Sequence, residues 1–255
     1  MIFVERLFQL FATLICVATL TACSNGNDTQ PTPVPSITTS PPTISPGGTS
    51  VGSVLDDINR AWATVQSMQT TFWTSAGDDI ATSPPTLGEV TIELVIAPDQ
   101  RKVTRMVDGV VVEEQISIEG RIFMKGLIVV AAIAPMVGTD TWVEVDPRGA
   151  GTASAVAAQI AWLVSPVQSP FQTVSNETRN LEALPGEPIE INGRSCDTWR
   201  FGDVNGIQQE LAVDEQGLPC RLIQRAGDHA NVTIYQVNPD AATIVIPPVG
   251  TPTTP

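Results

Sequence analysis

Positive charge and histidine are scarce in this sequence, and their scarcity excludes whole classes of function. The 255 residues include 13 Lys and Arg against 27 Asp and Glu, which leaves a net charge of −14. Nucleic acids are bound by basic surfaces, so we expect no nucleic-acid partner. The one histidine, His229, lies in an Ala-Gly-Asp-His-Ala turn, and the sequence offers no second histidine for a catalytic triad.

Several familiar enzyme motifs are missing as well. The metalloprotease pattern HExxH, the P-loop and the CxxC pair do not occur. Neighbouring acids such as Glu113 and Glu114 point to opposite faces of a strand, so contact with solvent explains them better than a catalytic dyad does. We therefore predict a protein that is not an enzyme and that uses neither a cofactor nor a metal.

Residues 7–20 form an apolar run of signal-peptide length, too short and too diluted by polar residues to cross about 30 Å of hydrocarbon. The run ends at Leu20-Thr21-Ala22-Cys23, where a small residue precedes a cysteine, and this resembles the lipobox of bacterial lipoproteins. We predict that residues 1–22 are a signal peptide and that Cys23 becomes the lipid-modified N-terminus. Two alternatives stay open: cleavage near Ala22 without lipid, and an uncleaved anchor.

Proline-rich segments flank the expected domain. Residues 23–50 begin with Cys23 and continue with a run rich in Pro, Ser and Thr that has no helical or strand period. Extended as polyproline II, such a chain would reach about 80 Å, so we interpret it as a tether. Residues 247–255 form a second Pro-rich tail, which we expect to be disordered. Residues 51–246 remain as one folded domain.

Cys196 and Cys220 are the two cysteines left for the domain. An even pair in an exported chain predicts a disulfide, worth about 3.5 kcal/mol in the chain-entropy model. If each cysteine begins a strand of one meander, one strand apart, the two would lie about 9–10 Å from each other. That distance exceeds the roughly 7 Å that a bridge can span, so the prediction requires a bulge or twist, or a different strand order.

The domain opens with an amphipathic helix. Leu55, Ile58 and Trp62 follow helical spacing, and Ser53 is placed to cap the N-terminus. We expect the helix to run to about Thr70, where residues that favour strands begin.

Beyond the helix, apolar and polar residues alternate in short runs that end in turns, which predicts about ten antiparallel strands in an α+β domain. The expected strands are residues 71–74, 89–97, 110–118, 121–125, 141–145, 196–201, 207–213, 218–225, 231–237 and 242–246. Residues 149–164 and 175–184 suggest additional short helices. The uncharged segment 126–139 is so apolar that we expect it to be buried or to face lipid.

A group of basic residues stands out in this acidic chain because its members lie within one short stretch. They are Arg101, Lys102, Arg105, Arg121 and Lys125. One interpretation is the solvated face of a few strands, and the other is a contact for anionic lipid headgroups.

The order of these elements resembles the LolA-like superfamily, in particular the LppX/LprG-type lipoproteins of the bacterial envelope. Three pieces carry the resemblance: residues 118–125 (IEGRIFMK) ahead of Trp142, Ile191-Asn-Gly193 before a strand, and residues 213–219 (VDEQGLP). It covers roughly residues 54–238. It implies a strongly curved antiparallel half-barrel with helices packed on its concave side, and an apolar cavity between helices and sheet that binds acyl chains or lipid-linked molecules.

The same resemblance makes the inward apolar residues of the strands candidates for ligand contact. They are Ile92, Leu94, Val112, Ile116, Trp199, Phe201, Leu211 and Val213. The function implied is that of a monomeric lipoprotein, anchored through Cys23 on the extracytoplasmic side of the bacterial cell membrane, that carries lipid or acylated cargo. An alternative is an envelope protein-interaction or stress-sensing module on the same fold, with no bound lipid.

Overall fold

The computed structural model describes residues 48–76, 83–126, 138–146, 160–165, 169, 171–172, 174–202, 207–239 and 242–249. The predicted signal peptide, Cys23 and the tether up to residue 47 lie outside these residues. So do residues 127–137 of the apolar segment and most of the helix expected over 149–164.

The first helix, α1, spans Val51–Trp62. Its N-cap is Ser50, whose hydroxyl oxygen accepts a hydrogen bond from the amide of Ser53 at 3.1 Å. The predicted cap at Ser53 is therefore wrong by three residues. The predicted end near Thr70 is also wrong, because strand-forming residues take over earlier and a strand already begins at Ser67.

Two further helical pieces are short. Helix α2 spans Asn176–Arg179, with the hydroxyl of Ser175 as its N-cap, and lies within the stretch predicted as a short helix. Residues 160–163 are also helical, at the end of the predicted helical stretch 149–164. Helix α1 is tied to the region after α2 by a backbone hydrogen bond of 2.9 Å from the amide of Val51 to the carbonyl of Leu181.

The sheet contains thirteen strands within the described residues. They are β1 (Thr49–Ser50), β2 (Ser67–Ala76), β3 (Glu89–Ile96), β4 (Gln100–Val107), β5 (Val110–Ile118), β6 (Arg121–Gly126), β7 (Val143–Val145), β8 (Glu182–Pro185), β9 (Ile189–Ile191), β10 (Arg194–Gly202), β11 (Gln208–Asp214), β12 (Pro219–Ala226) and β13 (His229–Val237). Their order is β1-β8-β10-β11-β12-β13-β2-β3-β4-β5-β6-β7, with β9 paired to β10, and every pairing in this order is antiparallel. The sheet is not closed, and it fits a curved, open arrangement.

The strand count corrects the expected ten. Strands β1, β8 and β9 are only two to four residues long, too short to show an alternating pattern, and β4 was not predicted as a strand. The strand expected at 242–246 is not formed. Its chain continues into Pro247-Pro248, which lack amide donors, and Ile244 instead packs as a buried side chain against Ile116, Ile118 and Phe123.

The register of the sheet determines which residues share a face, because directly opposed residues of antiparallel strands point to the same side. One aligned row runs through Tyr235, Thr70, Glu93, Val103 and Gln115 on five successive strands. Tyr235 packs in the same buried cluster as α1, and Val103 packs in the same cluster as residues of helix 160–163. Both helices therefore lie on one side of the sheet. We call this side the helix face and the other side the opposite face.

The disulfide between Cys196 and Cys220 is present, and a bulge makes it possible. The pairing of β11 with β12 shifts between Ala212 and Val213, so Cys220 is the extra residue of the bulge. The two Cα atoms lie 6.6 Å apart, within bridging distance. Both cysteines are fully buried on the opposite face.

The helix face as the candidate ligand-binding site

Helix α1 covers one apolar cluster on the helix face. Leu55, Ile58 and Trp62 lie four or fewer residues apart on one side of the helix, so all three reach the sheet. We call this the α1 cluster. Its buried members are Val51, Val54, Leu55, Ile58, Trp62, Met68, Phe171, Ala183, Phe201, Leu211, Val213 and Tyr235. The ring of Phe171 lies 6.1 Å from that of Tyr235, which links the segment after helix 160–163 to this cluster.

A second apolar cluster lies on the same face beneath helix 160–163. Ile160 and Leu163 pack there against four buried strand residues, and we call this the 160–163 cluster. The strand residues are Val103, Ile122, Met124 and Val145. The helix face thus carries two separate apolar clusters, each under its own helix.

Polar side chains also lie on this face, on strands β2 to β5. Thr70, Glu93 and Gln115 belong to the aligned row on the helix face, and Arg101 and Ser117 are paired in the next row. All except Glu93 are buried, and the side chain of Glu93 is only 20% exposed. We call these five residues the polar strip.

The charges in and beside the polar strip are paired. The Nε of Arg101 lies 3.0 Å from a carboxylate oxygen of Glu93. Arg105 lies in the row beyond Val103 and Gln115, and its guanidinium group is 3.3 Å from carboxylate oxygens of both Glu89 and Glu113. Three carboxylates face two guanidinium groups, so this part of the helix face has a net charge of about −1 before any ligand binds.

Burial governs the ionisation of these groups. It raises the pKa of Glu93, against the opposing effects of Arg101 and of a hydrogen bond with Thr70. It lowers the pKa of Arg101, against the opposing effect of Glu93. It also raises the pKa of Tyr235, and the negative charge of Glu93 adds to that rise. Additional negative charge is therefore unfavourable at this place.

Two polar atoms of the strip lack a hydrogen-bond partner among the residues that the structure describes. They are the side-chain carbonyl oxygen of Gln115 and the Nε of Arg101. Arg101 still has its ion pair with Glu93. In the Gln115 side chain, the amide nitrogen donates a hydrogen bond to Glu113, while the oxygen accepts none. Gln115 is 2% exposed, so its oxygen carries the cost of a buried, unpaired acceptor, about 1–3 kcal/mol.

The structure divides the predicted ligand residues between the two faces. Trp199, Phe201, Leu211 and Val213 come together on the helix face in the α1 cluster. Ile92, Leu94 and Ile116 lie on the opposite face, in clusters that α1 does not touch. Val112 is the extra residue of a bulge between β4 and β5. The eight residues therefore do not line one common surface, and ligand contact by any of them stays a prediction.

The five basic residues also divide between the faces, and each pairs with a carboxylate. Arg101 and Arg105 point into the helix face, as described above. On the opposite face, Glu114 lies 3.0 Å from Lys102 and 3.1 Å from Lys125. Arg121 forms two hydrogen bonds with Glu144, at 2.8 and 2.7 Å. Since the five residues do not form one surface, the headgroup contact proposed from their spacing loses its basis.

A GTSVG sequence at residues 48–52 matches the nucleophile pattern GxSxG and went unnoticed in the sequence. Its Ser50 caps α1 in ordinary extended backbone, with φ −83° and ψ 152°. His229 lies at the start of β13, paired with Ala76 rather than with any residue near Ser50. The motif therefore serves the helix start, and it provides no triad.

Two open cavities are lined entirely by described residues, and both are polar. One, of about 410 Å³, lies at the start of α1 beside Asp56, Asp57 and Arg179. The other, of about 180 Å³, lies beside Gln69, Thr71 and Asn192. Neither includes the polar strip. Within the described residues, no group of three or more His, Cys, Asp and Glu side chains is arranged to hold a metal, and no helix is long and apolar enough to span a membrane.

Comparison with known proteins gives structural matches without sequence matches. No protein-family model matches this chain, and no curated protein matches it in sequence. Lipoprotein LppX of Mycobacterium tuberculosis is similar in structure, with a TM-score of 0.45 and 12% identity over 76% of this chain and 98% of that one. LprF of Mycobacterium bovis has a TM-score of 0.45 and 12% identity over 80% and 100%.

A LolA-superfamily protein of Nitrosomonas europaea is also similar, with a TM-score of 0.26 and 9% identity over 74% of this chain and 92% of that one. LppX, LprF and a LolA-superfamily protein are thus among the solved structures to which this chain is similar.

Proposed function

We propose that this chain is a membrane-tethered, extracytoplasmic lipoprotein that binds lipid or lipid-linked molecules and carries them within the cell envelope. The binding site is the helix face, and the acyl chains lie between the sheet and its two helices. The reaction is one of binding and release, without covalent chemistry.

The observation that carries this proposal is the division of the helix face into two apolar clusters. A single domain usually packs one contiguous core, with smaller satellite clusters beside it. Here α1 and helix 160–163 each cover their own cluster, and strand β3 contributes to neither. Acyl chains inserted between the clusters would gain about 0.8 kcal/mol for each methylene removed from water, with no need for directional contacts.

The concave shape of the helix face is part of the proposal. An open antiparallel sheet of thirteen strands accumulates twist from strand to strand, and it bends around the helices that pack on one side. Within the described residues, α2 and the stretch 160–163 contribute four helical residues each. We propose that a ligand occupies part of the space beside them.

The anchor is proposed from the sequence. Cys23, followed by a Pro-rich tether, would hold the domain within about 80 Å of the bilayer. Such a tether keeps a carrier close to the membrane from which it takes cargo. Labelling with a radioactive or alkyne-bearing fatty acid tests this point: the native chain should be labelled and the Cys23→Ser variant should not.

The carrier function is tested by native mass spectrometry of the full chain carrying Cys23→Ser, extracted from whole bacterial cells in mild detergent. We expect adducts with the masses of co-purified lipids, and their loss and return after delipidation and addition of lipid. A ligand-free spectrum without uptake of added lipid would contradict the carrier function and favour the protein-interaction module instead.

A further inference from the structure

The smaller of the two open cavities lies on the opposite face of the sheet, away from the proposed lipid site. Its floor consists of two directly opposed pairs on neighbouring strands, Ile234 with Thr71 and Gln236 with Gln69. Ile234 packs in the same buried cluster as the two cysteines, and alternation along β2 and β13 places the other three side chains on that side as well. The four residues therefore form one continuous surface.

Two loops form the walls of this cavity. Asn192 belongs to the tight turn between β9 and β10, where its φ of 52° is followed by a φ of 75° at Gly193. Ser83 and Pro84 belong to the chain between β2 and β3. The volume is about 180 Å³, below the range of about 300–1,000 Å³ that drug-sized ligands fill. The cavity therefore has room for one small ring, and it is too small for a lipid.

Most of the side chains that line the cavity are neutral and polar. As far as the described residues extend, none of these polar side chains takes part in a hydrogen bond. They are Gln69, Thr71, Ser83, Asn192 and Gln236. Each amide group offers a donor and an acceptor, and so does each hydroxyl. A ligand that binds here must replace the water on these groups, so it must itself donate and accept several hydrogen bonds.

The cavity is also selective against charged ligands. Among the described residues, none that lines it is ionisable. A carboxylate or ammonium group would lose part of its hydration on entering and would meet no opposite charge. A hydrocarbon ligand would fail for another reason, because it would leave the polar side chains without partners. The lining therefore favours a ligand that is neutral and rich in hydroxyl groups.

Two apolar side chains complete the lining, Ile234 in the floor and Pro84 in the wall. A sugar ring carries C–H groups on its faces and hydroxyl groups around its edge, so it can contact apolar and polar side chains at the same time. Amide side chains suit pairs of neighbouring hydroxyl groups, since they hold a donor and an acceptor side by side. A small apolar patch surrounded by amides and hydroxyls thus matches the chemistry of one sugar ring.

We propose that this cavity binds one neutral sugar ring, either a free monosaccharide or the end of a longer glycan. The site does not depend on the proposed carrier function, because it lies on the other side of the sheet. Binding should be weak, with a dissociation constant of about 1 mM, because water satisfies the same polar groups when no sugar is bound.

The test is a nuclear magnetic resonance titration of the full chain carrying Cys23→Ser. The probes are the methyl glycosides of glucose, mannose, galactose and N-acetylglucosamine. At least one should bind with a dissociation constant of about 1 mM and shift the side-chain amide signals of Gln69, Asn192 and Gln236. The uronic acid form of that sugar should bind at least about threefold more weakly, and cyclohexylmethanol should cause no shift.

A trisaccharide of the sugar that binds distinguishes the two sources of the ring. Tighter binding of the trisaccharide would identify the end of a glycan as the ligand. Equal binding would identify a single ring, as in a free monosaccharide.

Asn192→Gly removes one amide from the wall and suits the turn, because glycine adopts a positive φ without strain. It should weaken sugar binding about threefold to tenfold, as the loss of one hydrogen bond requires. Glu119→Gly is the matched control, since Glu119 and Gly120 form a turn with φ values of 53° and 71° and do not line the cavity. Thr71→Val keeps the shape of a floor residue, removes its hydroxyl and should weaken binding to a similar degree.

Three results would each overturn the sugar site. One is the absence of shifts with every glycoside up to about 50 mM, or shifts confined to residues outside the cavity. Another is binding of the uronic acid form or of cyclohexylmethanol as tight as that of the neutral sugar. The third is sugar binding that neither Asn192→Gly nor Thr71→Val weakens more than Glu119→Gly does. None of these results bears on lipid binding at the helix face, so the carrier function would stand or fall by its own test.

Discussion

Arg101 of strand β4 donates a hydrogen bond from Nη1 to the main-chain carbonyl of Trp162, and its guanidinium carbon lies 4.6 Å from the centroid of the Trp162 ring. The same nitrogen is 3.2 Å from the hydroxyl of Ser165. With Glu93 on its other side, this one side chain joins the sheet, the polar strip and helix 160–163. The position of helix 160–163 over its cluster thus depends on a residue of the sheet beneath it.

Replacement of Arg101 by Met should loosen helix 160–163 and destabilise the domain. The change leaves the carboxylate of Glu93 without its partner in a largely buried place, so we expect the free energy of unfolding to fall by about 3 kcal/mol. Urea denaturation measures the loss, and hydrogen exchange at residues 163–165 should become faster. Arg60→Met is the control, because Arg60 pairs with Asp57 on the exposed side of α1 and should contribute less than about 1 kcal/mol. Equal effects of the two substitutions would contradict the role given to Arg101.

The carboxylate of Glu114 should contribute stability that disappears in acid. Burial alone would raise its pKa, but hydrogen bonds and charge from Lys102 and Lys125 outweigh burial and hold the pKa below its ordinary value of 4.5. A carboxyl with a lowered pKa in the folded state stabilises the protein above its unfolded pKa, and this stability is lost as the pH falls through the folded pKa. Glu114→Gln should therefore be about 1 kcal/mol less stable than the native chain at pH 7. The difference should shrink below about pH 4.5.

Denaturation curves at several pH values between 7 and 3 give this comparison. Glu190→Gln, on the exposed side of β9, is the matched control, and its difference from the native chain should stay within about 0.5 kcal/mol. A Glu114→Gln difference that is constant down to pH 3 would show that the two lysines do not stabilise the charged form.

Loss of the disulfide should weaken the domain strongly. The bridge closes a separation of 24 residues, and removing it with Cys196→Ala and Cys220→Ala together should lower the free energy of unfolding by about 3 kcal/mol. The two alanines fill less space in a fully buried site, which adds a smaller loss. Thiol titration of the unfolded, non-reduced chain should find neither cysteine reactive. Two reactive thiols in the exported native chain would contradict the bridge between Cys196 and Cys220.

Trp199 and Ile92 offer a matched pair for locating the ligand. Both are partly buried strand residues that were predicted to contact ligand, yet Trp199 lies on the helix face and Ile92 on the opposite face. Trp199→Ala should weaken binding of a fluorescent fatty acid about tenfold, because a large apolar surface is removed from the proposed site. Ile92→Ala should change it less than about twofold. The reverse order would place the ligand on the opposite face.

The sequence predicted those elements whose hydrophobic period is visible within one short stretch. The stripe of Leu55, Ile58 and Trp62 identified α1, and alternation identified nine of the thirteen strands, because both periods are local properties of the backbone. Short strands such as β9 have too few residues to show a period, and their pairing with β10 depends on residues outside them. Helix boundaries were missed because the cap at Ser50 and the strand starting at Ser67 compete with the helical pattern.

The candidate site could be predicted only in part. Alternation shows that Trp199 and Phe201 share one face of β10, and that Ile92 and Leu94 share one face of β3. It does not show that these faces are on opposite sides of the sheet, because that depends on the register of the strands between them. The polar strip was missed for the same reason. Arg101 appeared in a run of bases, and its partner Glu93 appeared in an ordinary strand.

What the sequence determined by itself is the export signal as a prediction, the helix, the strand character of the domain and the pairing of its two cysteines. The tertiary structure alone decided that the bulge at Cys220 brings the sulfur atoms together, that each base of the 101–125 stretch meets a carboxylate, and that a polar strip lies on the helix face beside two apolar clusters. The physical reason is that these are contacts between residues far apart in the chain. Local pattern says which way a side chain points within its own strand, and only strand register says what it meets.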